Sequence, residues 1–259
     1  MDRAITWSCG GGTQSIAIAI LIAEGRLPKP ECVVMADTGR EASETWDYNF
    51  EHTFPLLQSV GVNVEIAGHD LANVDLYATD GKTILPMYSL NDGAEGAKRA
   101  FCSNEWKKYV IRRFLRQKGY GPKRPIVTWI GISIDETERL KSSDVLWQKN
   151  HYPLCFDVPM RRSDCAEYIK AFGWPDPPKS SCWMCPYRGN DQWRRLRDQY
   201  PEDWAKAIAL DEEVRGRDET HGLYLHPQRV PLADANLGTE EAELPLLAAA
   251  GCSTQDCYV

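Results

Sequence analysis

Residues 7–15 read Trp7-Ser8-Cys9-Gly10-Gly11-Gly12-Thr13-Gln14-Ser15. Three consecutive glycines let the backbone turn with positive φ and approach a ligand closely. A short apolar run precedes them and a helical pattern follows, with the Thr13 and Ser15 hydroxyls at its start. Peptide N–H groups at such a helix N-terminus, with hydroxyls beside them, form an anion site. No Lys follows the last glycine, so this is not a Walker loop, and the spacing is not that of GxGxxG.

A second chemistry is signalled by sulfur. The chain has nine cysteines, and no charged-then-apolar leader precedes them. That combination points to a reducing, cytoplasmic setting, where cysteines serve metal, redox chemistry or burial rather than a disulfide framework. Cys182 and Cys185 form a single C-x-x-C, which leaves zinc, iron–sulfur, a redox dithiol and chance open. Structural zinc asks for four protein ligands, and no second C-x-x-C or spaced His pair is present. A thioredoxin-type dithiol would open the first helix after a strand, whereas the Pro-rich loop 173–178 precedes this pair. Cys102 is the candidate third ligand, because it opens a helical pattern whose N–H groups and nearby Lys107 would stabilise a thiolate. Cys155 is the candidate for a hidden fourth. Cys32 and Cys165 read as small buried hydrophobes, and Cys9 as packing, with sulfur handling as its alternative. Cys252 and Cys257 are tail thiols that either carry a persulfide or have no role.

Charge is unevenly distributed. Thirty basic and 37 acidic residues give a net charge of -7, which does not announce a nucleic-acid binder. Yet Lys107, Lys108, Arg112, Arg113, Arg116, Lys118, Lys123 and Arg124 follow one another without an intervening acid. Such a stripe is either a phosphate-attracting footprint or a solvated helix face. Trp183 and Trp193, near Arg188, Arg194, Arg195 and Arg197, either stack on bases or pack between helices. His151, His221 and His226 lack ligand spacing. No window approaches the apolar length of a membrane span, so no membrane partner is expected.

The elements that must position these groups alternate in the α/β manner. Strands are expected at 4–7, Cys32–Ala36, 63–67 and Ile126–Ile130, and helices at 13–24, 43–59, 103–118 and 162–172. Pro55 should kink or interrupt the second helix. Residues 69–99 form a long irregular stretch of the kind used for lids. Two short helical patterns, 191–199 and 202–215, follow the cysteine pair, and the last thirty residues show no periodicity. Residues 1–190 are expected to form one α/β domain, and 191–259 a small helical appendage and tail. Intervening helices favour a parallel sheet covered on both faces.

The glycine segment resembles the PP-loop of the ATP pyrophosphatases, Ser-Gly-Gly-x-Asp-Ser, in a variant with a third glycine. Gly10 stands for the first Ser, and Gln14 for the Asp that often helps hold magnesium. Gln14 can hydrogen-bond a phosphate or a metal-bound water, but carries no charge. Asp37-Thr38-Gly39 is similar to the Asp-Thr-Gly after the second strand of the phosphoadenosine-phosphosulfate (PAPS) reductases. Gly131-Ile132-Ser133-Ile134-Asp135-Glu136-Thr137-Glu138-Arg139 resembles their segment after the fourth strand, where an Arg faces the nucleotide. Cys182 and Cys185 sit where iron–sulfur relatives keep their cysteine pair, and Cys102 lies in the helix that carries further cysteines. The resemblance spans about residues 4–190.

It implies the Rossmann-like parallel sheet of adenine nucleotide α-hydrolases, with helices on both faces and ATP across the strand C-termini. The nucleotide would meet Ser8, Gly10, Gly11, Gly12, Thr13, Gln14, Ser15, Asp37, Thr38, Gly39 and Gly131. Gln14, Ser15, Asp37, Lys107 and Arg139 would serve catalysis, with Mg2+. Cys102, Cys182 and Cys185 would hold a [4Fe-4S] cluster with one open iron, zinc being the alternative metal. The activity implied is adenylation of a nucleic acid, DNA or tRNA, for sulfur insertion, with a cysteine desulfurase as sulfur source. The extra glycine and compact size resemble the DNA-phosphorothioation relatives. A sulfonucleotide reductase and a nucleotide-binding adaptor with a structural metal are the alternatives, and a homodimer is left open.

Overall fold

The computed structural model describes residues 3–68, 76–77, 85–89, 102–217 and 222–238. Most of the irregular stretch 69–99, together with Phe101, His221, Cys252, Cys257 and the tail, lies outside the described residues.

β2 (Cys32–Ala36) is buried along its whole length, because both of its faces are covered. Its side chains divide by the period of two that a pleated strand imposes. Cys32, Val34 and Ala36 enter one apolar cluster, Val33 and Met35 another. β1 (Ala4–Ser8) and β3 (Val64–Ala67) flank β2, and β5 (Ile126–Ile130) and β6 (Gln148–His151) extend the sheet beyond β1. The order is β3-β2-β1-β5-β6, and every pair is parallel. Chain direction across the sheet reverses between β1 and β5. In open parallel sheets the crevice beyond the strand C-termini at that switch point is where ligands bind.

α1 (Thr13–Ala23) is buried on all sides from Ile16 to Ile22, under α3 (Phe54–Ser59) and α6 (Arg162–Ala171). Its burial explains a sequence too uniformly apolar for an amphipathic helix. On the opposite face α4 (Tyr109–Gln117) crosses β2 and β3. There the cluster also takes in Trp193 and Leu196 of α7 (Asn190–Gln199) and Ala207, Leu210 and Val214 of α8 (Pro201–Arg217). A two-stranded antiparallel pair, β4 (Tyr88–Ser89) with β7 (Leu223–Tyr224), lies beside this cluster.

Three features differ from the sequence expectation. Pro55 does not break its helix: α2 (Ser43–Tyr48) widens to π-helical Asn49–Thr53 before α3, which places Pro55 in an N-terminal turn. β6 was not foreseen, since Gln148-Lys149-Asn150-His151 has no apolar face and is joined to β5 by backbone pairing at the sheet edge. A short α5 (Pro153–Phe156) and a 3-10 turn (Ile134–Arg139) follow the same half-sheet. Among the described residues no helix is long and apolar enough to cross a membrane.

Candidate functional site

The glycine loop leaves β1 and enters α1 at the switch point. Gly11 has φ +70, and an added Cβ would stand 2.8 Å from Met35 Cε and 2.9 Å from Asn49 Nδ2. Only glycine fits that backbone and that space. Asn49, buried in the π-helical turn, donates from Nδ2 to the carbonyls of Gly11 (2.9 Å) and Thr45 (2.7 Å). The Gly10 amide donates to Ser15 Oγ at 3.0 Å, so Ser15 holds the loop rather than standing free for a ligand. Gly12 caps α1 with extended backbone and no side-chain cap bond. The first-turn N–H groups of α1 therefore point to the crevice as orphan donors. A Cβ added at Gly131, beyond β5, would stand 3.4 Å from both Gln14 Cβ and Ser15 Oγ.

One cavity opens at this turn, lined by Gly12, Thr13 and Gln14 together with Cys102, Cys182 and Cys185. Among the described residues, Lys107, Arg139, Arg162 and Lys179 also line it, with one carboxylate, that of Glu136. A cationic wall around a helix N-terminus suits a polyphosphate. Gln14 Nε2 donates to Glu136 Oε2 at 2.8 Å, and Arg139 Nη1 to Glu136 Oε1 at 2.5 Å. Ser133 Oγ adds a bond to Glu136 at 3.3 Å. Glu136, whose role is not evident from the sequence, thus brings a carboxylate beside Gln14. Its signal was its place just past a buried strand, where switch-point ligands are read. Oxygen donors of this kind fit a magnesium ion beside a polyphosphate.

The cysteine loop reaches the site by backbone pairing. Cys182 bridges to Glu41 in antiparallel fashion, the Ala42 amide donates to Ser181 O (3.1 Å), and the Trp183 amide to Arg40 O (2.9 Å). Cys185 closes a turn on Cys182 O at 3.1 Å. Ser180 Oγ donates to Gly10 O and bonds Glu41 at 2.9 Å, tying this loop to the glycine loop. Arg188, fully buried, donates to Cys182 O (3.1 Å), Ser181 O (3.4 Å) and Glu44 Oε1 (2.9 Å). Arg195 holds the other Glu44 oxygen at 3.1 Å. Thr38 Oγ1 lies 3.6 Å from Cys182 Sγ. Burial pushes Cys182 up to about 12 and Cys102 up to about 11, the Cys185 thiol adding to both and Lys107 opposing. Among the described residues no three His, Cys, Asp or Glu side chains converge on one metal ion. Cys102, Cys182 and Cys185 line the same cavity, and a polynuclear cluster can take such thiolates on different irons.

Other expected residues fall elsewhere. Asp37 accepts from the Gly39 amide at 2.7 Å and is not among the residues lining the cavity. Ser8 lines a neighbouring cavity that shares Lys107. Cys155 donates to Ile132 O at 3.3 Å within a separate apolar cluster, away from the other three thiols. Cys9 and Cys165 are buried, which raises both thiols, to about 11 and about 12. Trp193 is buried in the core, where helix packing accounts for it, and Arg194 donates to the Leu237 carbonyl. His226 is buried, bonded to Asn190 Oδ1 at 2.9 Å and shifted downward by burial, as a neutral structural group. The basic stripe is largely neutralised: Lys107 pairs with Glu41, Lys108 and Arg112 with Asp144, Lys118 with Glu65, and Arg124 with Glu31.

No family model matches this sequence, nor does any curated protein at the level searched. Among solved structures, PAPS reductase from Candida auris in a phosphate complex is 10% identical, with TM-score 0.43. The match covers 71% of this chain and 83% of that one. The U34-tRNA thiolase NcsA from Methanococcus maripaludis, with its [4Fe-4S] cluster, is 15% identical, with TM-score 0.44. It covers 84% of this chain and 71% of that one. Both likenesses are distant.

Two outcomes are expected. Gly11→Ala forces the loop away from Met35 and Asn49, and triphosphate affinity measured by calorimetry falls about tenfold, the equivalent of roughly 1.4 kcal/mol. Unchanged affinity would place the anion site elsewhere. Arg188→Met leaves Glu44 buried with only Arg195 beside it and costs about 3 kcal/mol in urea unfolding. A loss below about 0.5 kcal/mol, the range of ordinary surface changes, would contradict that latch.

Proposed function

We propose that the protein is an ATP pyrophosphatase that adenylates a nucleic-acid substrate, DNA or tRNA, for sulfur insertion. The observation that carries this reading is the shared cavity, in which an anion-binding glycine turn faces three cysteines. A nucleotide fold alone would not need thiols there, and a structural metal site would not need the glycine turn.

In this reading the α1 amides and the Thr13 hydroxyl hold the β and γ phosphates, which Lys107 and Arg139 neutralise. Gln14 and Glu136 fix Arg139, so its guanidinium is already oriented when charge develops; pre-set dipoles and charges of this kind act mainly on the transition state. A substrate oxygen attacks the α-phosphorus, the bond from that phosphorus to the bridging oxygen breaks, and pyrophosphate leaves. The sulfur comes from the persulfide of a cysteine desulfurase, is reduced by two electrons to sulfide as an external dithiol becomes a disulfide, and the sulfide then displaces AMP at the adenylated atom. When bound, Mg2+ supplies charge neutralisation at the phosphates, and a [4Fe-4S] cluster on Cys102, Cys182 and Cys185 supplies an iron open to the sulfur donor. The thiols' part is to hold that group within the same cavity while Thr38 and the Arg188 latch keep the loop in place.

The test is the fate of radiolabelled ATP, mixed with single-stranded DNA or bulk tRNA. AMP and pyrophosphate in equal amounts are expected, both lost in the Gly11→Ala variant. ADP and orthophosphate as products would contradict α-phosphorus attack.

A further inference from the structure

A second cavity lies on the α4 side of the sheet, between the π-helical Ser103–Lys108 with α4 and the β1, β5 and β6 half. Lys107, Lys108 and Arg112 line it with the hydroxyls of Ser142 and Ser143. Their side chains are 20%, 26% and 15% exposed, so three cations are drawn together away from bulk water. Such a group needs anions.

The chain itself supplies two: Glu41, 3.5 Å from Lys107, and Asp144. Arg112 directs Nη1 and Nη2 to the two oxygens of Asp144, at 3.3 Å and 2.6 Å. Lys108 Nζ approaches the same carboxylate at 3.2 Å. A guanidinium fork plus an ammonium around one oxyanion is also how proteins grip a phosphate. The Arg112 bonds hold the Asp144 carboxyl far below the usual carboxylate range, so it stays an anion at neutral pH. Its side chain is 48% exposed, on a connection whose Leu146 is 97% exposed, and little packing opposes its departure.

The site is also continuous with its neighbours. Lys107 is shared with the glycine-loop cavity, and Arg112 with an outer concavity formed by Tyr109, Arg113 and Arg116. We propose that Asp144 is an internal stand-in for phosphate, and that the Lys108–Arg112 site takes a phosphodiester of a single polynucleotide strand. The strand then continues over Arg113 and Arg116 on one side and past Lys107 to the glycine loop on the other. This rests on the reading of the protein as acting on nucleic acid and names the surface by which it does so. Contacts to the backbone carry no sequence information, so oligo-dT and oligo-U should both engage it.

The experiment is fluorescence-anisotropy titration of labelled oligo-dT and oligo-U over a range of salt, with ATP binding measured on the same samples. Asp144→Asn removes the competing anion and should raise oligonucleotide affinity several-fold. Arg112→Gln should weaken binding and lower the salt slope by about 1, and the exposed pair Arg113→Glu with Arg116→Glu should weaken it further. ATP affinity should stay within twofold in all of them. If wild-type chain binds oligonucleotide and these variants leave it unchanged, the proposed track is overturned while the nucleic-acid reading stands. If neither oligonucleotide binds, ATP still binds, and inorganic phosphate alone responds to Asp144→Asn, the site is for a small anion and the polynucleotide proposal is overturned. Absence of both ATP and oligonucleotide binding would overturn the functional reading itself.

Discussion

A buried guanidinium decides how this molecule is arranged. Arg188 lies fully out of solvent, paired with Glu44 at the start of α2 and donating to the carbonyls of Ser181 and Cys182. Desolvating that pair is unfavourable, and the cost is offset only while every donor and acceptor stays engaged. The pair thus specifies one position for the cysteine loop. From that position follow the antiparallel bridge at Glu41, the Ser180 bond to Gly10, and the meeting of thiols with the glycine turn across some 170 residues of chain.

Electrostatics then sorts the roles around the cavity. Among the described residues, four cations and the N-terminus of α1 line a space with one carboxylate, Glu136, itself engaged by Gln14 and Arg139, while Lys107 is also paired with Glu41. The surplus is positive and positioned in advance, which is the condition for stabilising a polyanion without reorganisation. The Cys102 and Cys182 thiols are pushed upward by burial, so their ionised forms call for cationic partners. Lys107 serves both halves, as it opposes that shift and also lines the cavity next to Asp144. Both π-helical turns lie here too, one fixing Gly11 through Asn49 and the other carrying Lys107. Wider turns of this kind are often found at functional sites, since they re-aim side chains that a regular helix would point elsewhere.

Much of the fold could be read from residue patterns, because burial on two faces leaves a plain mark. Cys32–Ala36 is an unbroken apolar strand, Ile126–Ile130 is apolar but for Thr128, and residues 16–22 form an unbroken apolar helix, matching a covered parallel sheet. β6 was hidden because its stability comes from backbone pairing with β5, which has no side-chain signature. At the site, the glycine turn and the cysteine spacing were legible, since backbone freedom and thiol chemistry restrict residue type. Glu136 and Arg188 were not, because ordinary charged residues become specific only through partners distant in sequence. The ion pairs of the basic stripe were equally hidden. Its neutralising acids, Glu31, Glu41, Glu65 and Asp144, come from other elements and are invisible to a local count.

The central claim is that a polyphosphate site and a sulfur-bearing metal site share one cavity. The most direct test is iron, zinc and acid-labile sulfide content of protein purified without oxygen, alongside its absorption spectrum. The account predicts about four iron and four sulfide per chain, falling together in Cys102→Ala and in Cys182→Ala. Stoichiometric zinc without sulfide, unaffected by Cys102→Ala, would contradict it and leave the cysteine loop a structural element beside a nucleotide site.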